Sequence, residues 1–148
     1  MPRTGGVTLL LVCLVAAAYM AGLSWFVGVV HYPLFAGVGG AGWGAYHRRH
    51  SDRTTVVVVL PMAAELVTAA LVALDPPAGV GAAGAGAGLA LAAGTWVLTA
   101  RAAWLHGRLG DPLDPARHRT LLGVHHARTA LWSAHAVLAA ALVAAAAG

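Results

Sequence analysis

Charge is scarce in this chain. Only 9% of its 148 residues are Asp, Glu, Lys or Arg, against about 25% in soluble globular domains. Lysine is absent, so Arg supplies all nine basic residues, opposed by five acids. Cysteine is limited to Cys13, which excludes a disulfide within the chain and leaves the redox compartment open. Nothing reaches the specificity of an HExxH or paired-Cys motif, and no repeat of fixed period appears. What the chain has instead is apolar side chain, 59% of its residues. A single soluble domain cannot hide that much, so lipid is the expected solvent. The net charge of +4 is confined to short segments between apolar runs. That is the pattern of loops flanking membrane spans, and it argues against a nucleic-acid surface.

Four apolar runs are each long enough, at 1.5 Å rise per residue, to cross a hydrocarbon core of roughly 30 Å. The expected fold is all-α, a polytopic four-transmembrane-helix bundle. It forms a single domain over residues 1–148, with spans at about 7–30, 54–74, 82–105 and 121–146. Arg3 before an apolar stretch, with Ala16-Ala17-Ala18, imitates a signal peptide. The run continues through Trp25 and Phe26 to Val30, however, too far for a 7–15-residue signal core, so it reads as a retained span. Residues 36–53 read as a Gly-rich, then basic connector, with Trp43, Tyr46 and His50 on one side of a short helix lying among headgroups. Ser51 or Asp52 is placed to cap the second span, and Asp114 with Pro115 to start the fourth. Gly84 and Gly88 form a GxxxG pair that permits close helix contact, and a low-complexity Ala/Gly reading fits them equally; a homo-oligomer is left open. Eight Arg (48, 49, 53, 101, 108, 117, 119 and 128) fall on one membrane side and Arg3 alone on the other. The positive-inside rule then predicts a multi-pass cell-membrane protein with Arg-rich connectors in the cytoplasm and both termini outside.

Polar residues recur at helical spacing inside these runs. Ser24, Gly28, His31 and Phe35 share one face of the first span; Thr95, Thr99, Ala102 and His106 share one of the third. His125, Arg128, Trp132 and His135 make a stripe on the fourth. Glu65 lies near the bilayer midplane, where it has to be neutral, paired or turned into a polar interior. Pro61, one turn earlier, frees a backbone carbonyl. The topology gathers seven of the eight His on the Arg-rich side, namely His31, His47, His50, His106, His118, His125 and His126. A polar cavity opening there is expected to take a lipophilic small molecule from the bilayer. Its expected catalytic residues are His31, Glu65, His106 and Arg128, with His31 and His106 transferring protons. Trp25, Tyr32, Trp104 and Trp132 would supply flat surface for a planar ligand. If a metal binds, imidazole and carboxylate from His31, Glu65, His106 and His125 are its candidate ligands. The cofactor is left open between none, a metal ion and haem. The plainer readings stand beside these: His47, His118 and His126 solvated at the headgroups, the Trp residues as an interfacial belt, and Glu65 paired with Arg128 as a structural tie.

The layout has VVHYPLF closing the first span, PMAAEL in the second, LHGRL closing the third and HHARTALWSAH in the fourth. It resembles small bacterial four-helix membrane proteins and is distantly similar to the anthrone oxygenase-like family. The likeness rests on Pro33, His106 to Leu109, and Arg128-Thr129. It implies oxygen-dependent oxidation of an aromatic polyketide, compatible with cofactor-free chemistry. The chain departs from that pattern in having His106 where the family suggests Asn, and in its HRRH connector. A non-enzymatic haem, metal or transport-related membrane protein is the alternative.

Overall fold

The computed structural model describes residues 3–148, and side chains from Gly5 onward. Four helices form the bundle: α1 (Arg3–Phe26), α2 (Gly40–Leu74), α3 (Ala82–His106) and α4 (Pro115–Ala147). Among the described residues there are no strands. All four helices are long and apolar enough to cross a membrane, and the chain is a multi-pass membrane protein of the all-α class. Outward side chains remain apolar, with Val56 80% and Leu60 76% exposed, a surface that only lipid solvates favourably.

The connector expected over residues 36–53 is not a separate element. α2 begins at Gly40 and runs unbroken through Arg53 to Leu74. Side chains sustain it: Ser51 Oγ donates to the His47 carbonyl and Thr55 Oγ1 to the Ser51 carbonyl. Trp43 anchors the first turns, buried against Tyr32, Phe35 and Leu105. Its indole N–H donates to the Gly110 carbonyl at 2.7 Å. Thirty-five residues make a helix of about 52 Å, so its first third extends past the hydrocarbon. Ser51 and Asp52 therefore sit mid-helix and cap nothing. At α4 the expected cap does form: Asp114 accepts from the Ala116 and Arg117 backbone N–H groups at 2.8 and 3.2 Å. Those two bonds, Arg117 first, hold the exposed Asp114 carboxyl below its usual range.

After Phe26 the first span widens and then tightens, through a π turn (Val27–His31) and a 3-10 turn (Pro33–Gly37). Pro33 cannot continue the α ladder, and Tyr32 N–H reaches back to the Val27 carbonyl at 2.8 Å. The turn re-aims His31, Tyr32 and Phe35 toward the other helices. α3 and α4 approach through small residues, with Gly84 against Leu142 and Gly88 against His135.

Candidate functional site

A cavity of about 1130 Å³ lies between the four helices at the Arg-rich end. Met20, Leu23, Phe26, Val27, Val57 and Val58 form its apolar part. His31, Tyr32, His47, His50, Thr99, His106, His125 and Arg128 form its polar part, with Arg48, Arg49 and Arg53 farther out.

Three elements bring the rings together. Tyr32, from the turn after α1, places its hydroxyl 2.8 Å from His106 Nε2 on α3. His106 Nδ1 is 2.9 Å from His47 Nε2 on α2. These contacts make one hydrogen-bonded chain, phenol to imidazole to imidazole. A second pair stands beside it: His31 Nε2 lies 2.8 Å from His50 Nδ1, which also meets Thr54 Oγ1 at 3.3 Å. The His50 and His106 ring centres are 5.7 Å apart, so both pairs share one chamber. Gly28 lets α4 come close, because a Cβ there would lie 3.0 Å from His125 Cδ2. His125 uses that approach to donate from Nε2 to the Ser24 carbonyl at 2.8 Å. His118 Nε2 similarly donates to the Tyr32 carbonyl at 2.8 Å.

Two buried atoms at this site are unsatisfied among the described residues: His125 Nδ1 and Arg128 Nε. With the His125 proton on Nε2, its Nδ1 is a bare acceptor, whereas Arg128 Nε–H is a bare donor. Buried polar groups are rarely left so. Both belong to residues that line the cavity.

Of the expected site residues, His31, Tyr32, His106, His125 and Arg128 do line this chamber. Glu65 does not. Its Oε1 accepts from His135 Nδ1 at 2.6 Å and its Oε2 from Trp132 Nε1 at 2.9 Å, in a cluster buried deeper in the bundle. The expected Glu65–Arg128 pair is thus replaced by Glu65–His135. The reason is rotational: Trp132 and His135 lie one and two turns beyond Arg128 and fill both carboxylate oxygens, while Arg128 lies against the Trp132 ring, 4.9 Å from its centre. The candidate metal set of His31, Glu65, His106 and His125 is therefore not one constellation. Among the described residues no group of three or more His, Cys, Asp or Glu has metal-holding geometry.

Three of the expected aromatic surfaces lie elsewhere. Trp25 is exposed and donates to Ser133 Oγ at 3.2 Å. Trp104 is exposed between the Arg101 and Arg108 guanidiniums, 4.3 and 3.9 Å from its centre. Trp132 is buried on Glu65. Trp43 takes up the role of flat wall, stacked on His47 with ring centres 5.0 Å apart. Of the three His whose plainer reading is solvation at the headgroups, His47 and His118 are tied into the interior and His126 is exposed. The signal was the spacing of Trp43, His47 and His50 along what proves to be one helix.

No family model, curated protein or solved structure matches the chain.

Proposed function

We propose that this protein binds a planar, oxygen-bearing lipophilic molecule, of hydroxylated aromatic, anthrone or quinone type, and moves protons on it. The observation that carries this reading is the Tyr32–His106–His47 chain on the wall of the large cavity. A phenol bonded to an imidazole that is backed by a second imidazole can take a proton at one end and release it at the other. His125 and Arg128 line the same cavity and add an imidazole and a guanidinium to the wall where a ligand's oxygens would lie. The apolar portion accommodates the ring system, which enters from the bilayer. For an anthrone, loss of a ring-methylene proton into the Tyr32–His106–His47 chain gives a carbanion that dioxygen oxidises. One oxygen atom becomes the new carbonyl and the other leaves as water. In this reading the Arg-rich end faces the cytoplasm of the cell membrane, both termini lie outside, and the homo-oligomeric state is left to measurement.

Purified protein in detergent would be assayed with anthrone and quinol substrates, following oxygen uptake and product absorbance. His106→Gln is expected to lower turnover by about 10²–10⁴-fold, the range of a lost general acid–base group. Full turnover in both His106→Gln and Tyr32→Phe, at unchanged fold, removes the reading.

A further inference from the structure

Two buried charges touch Trp132, and their surroundings differ. Glu65, in the middle of the bundle, is closed in. Its oxygens accept from His135 Nδ1 and Trp132 Nε1, and Cys13 Sγ lies 3.6 Å from His135 Nε2. The void beside that thiol measures about 10 Å³, too small for any organic ligand. Arg128, against the Trp132 ring, lines the large cavity and is 8% exposed. It makes no ion pair among the described residues. Its Nε is enclosed, so the terminal guanidinium nitrogens, beside the Tyr32 hydroxyl, are the part a ligand can reach. The other charges on the cavity wall, Arg48, Arg49, Asp52, Arg53 and Asp111, are all exposed. Water and salt screen those groups and screen Arg128 far less. A buried cation without a counter-charge is unfavourable inside a membrane bundle. An indole face offsets part of that, but no neighbour supplies negative charge.

We propose that the ligand supplies it: the cavity takes a planar lipophilic acid and binds its ionised carboxylate on the Arg128 guanidinium. The inference rests on the reading of this cavity as a site for an oxygen-bearing aromatic, and it specifies the charge of that molecule. A guanidinium presents parallel N–H donors that match the two oxygens of a carboxylate. One monoanion cancels one buried cation, whereas a phosphate dianion would leave an excess charge in the same place. The apolar wall begins next to the guanidinium. Met20 packs on Trp132 with Leu23 and Val58 alongside, and all three line the cavity, giving the ring system a surface. Tyr32 joins the two parts of the site, since its hydroxyl neighbours the guanidinium and meets His106 Nε2 at 2.8 Å. An acid anchored on Arg128 therefore holds its ring beside the chain of phenol and imidazoles.

The test uses the full-length protein in detergent at neutral pH. Quenching of its tryptophan fluorescence is followed with anthracene-2-carboxylate and anthracene-2-carboxamide, planar probes that differ in charge, after correction for uptake by protein-free micelles. The carboxylate should bind at least about tenfold more tightly, the scale of a charge-assisted hydrogen bond. This comparison is made on the unmutated chain and does not depend on any variant folding. Arg128→Gln should erase the preference by weakening the acid and leaving the amide within about twofold. Joint replacement of Arg48, Arg49 and Arg53 by Gln should preserve it, and a large excess of inorganic phosphate should leave the acid bound. Equal binding of the two probes, a preference that survives Arg128→Gln, one lost with the three outer Arg, or displacement by phosphate would each overturn the proposal. Equal binding with turnover still lost in His106→Gln would leave the proton-transfer reading standing, whereas failure of both probes to bind ends both.

Discussion

The Arg-rich end of the bundle holds imidazoles around open space, whereas its middle holds a thiol, an imidazole, a carboxylate and an indole around almost none. In the cavity, His31, His47, His50 and His106 are all half-buried, and two buried polar atoms beside them lack a partner. In the central cluster, Glu65 and Trp132 are fully buried and every carboxylate oxygen is bonded. Buried polar groups are costly only when left unpaired. The closed cluster is therefore where loss of one partner should damage stability most. The open one has hydrogen-bonding capacity left for a ligand and should report on binding instead.

Breaking the closed cluster should produce the largest effect. Glu65→Ala leaves His135 and Trp132 with buried donors and no acceptor, at an expected cost of about 3–5 kcal/mol. Joint replacement by Glu65→Leu and His135→Leu should cost less than the single change. In a double-mutant cycle on thermal unfolding in detergent, Glu65 and His135 should couple by about 0.5–3 kcal/mol, and Glu65 and Arg128 should be close to additive. Strong coupling of Glu65 to Arg128 would contradict the observed pairing.

The next effect comes from closing the gap between α1 and α4. Gly28→Leu drives carbon into His125, which a Cβ alone already meets at 3.0 Å. Overpacking of this kind costs about 1–3 kcal/mol, and it should also displace His125 from the Ser24 carbonyl. Loss of stability together with weakened binding of a quinone or anthrone ligand is expected. Normal ligand binding would place His125 outside the functional chamber.

How far the sequence foretold this division depends on which contacts are local. Period and length show four helices and the buried stripe of His125, Arg128, Trp132 and His135, since those depend only on neighbours along one helix. The Asp114 cap was legible for the same reason. The continuity of α2 through residues 40–53 was not, because Gly39, Gly40, Gly42 and Gly44 suggest a loop and only the docking of Trp43 overrides them. The exchange of Arg128 for His135 as partner of Glu65 depends on the rotation of two helices about their axes. The approach of Cys13 to His135 joins residues 122 positions apart. No pattern within one helix encodes either.

A smaller effect is expected from Tyr32→Phe. It deletes one hydroxyl from the 2.8 Å bond to His106, and a half-buried imidazole can recruit water from the cavity instead. Stability should fall by about 0.5–1.5 kcal/mol, well short of Glu65→Ala, while turnover on an aromatic substrate falls far more. A stability loss as large as that of Glu65→Ala would mean the two clusters do not differ as described.

The smallest effect should come from Asp114, which touches neither cluster but caps the helix that feeds both. The Arg117 and Ala116 N–H groups lower its folded-state pKa. The sign follows directly: the carboxylate adds stability above its unfolded pKa, and that increment is lost as pH falls through the depressed folded value. At neutral pH, Asp114→Ala should lower the unfolding temperature slightly, and below the folded pKa the two proteins should converge. The loosening should stay local. Backbone hydrogen exchange should quicken in the first turns of α4, near His118 and its bond to the Tyr32 carbonyl, and remain slow around His135. Faster exchange at His135 would show that α4 responds as one rigid unit, which would couple the cavity to the central cluster and end the distinction between them.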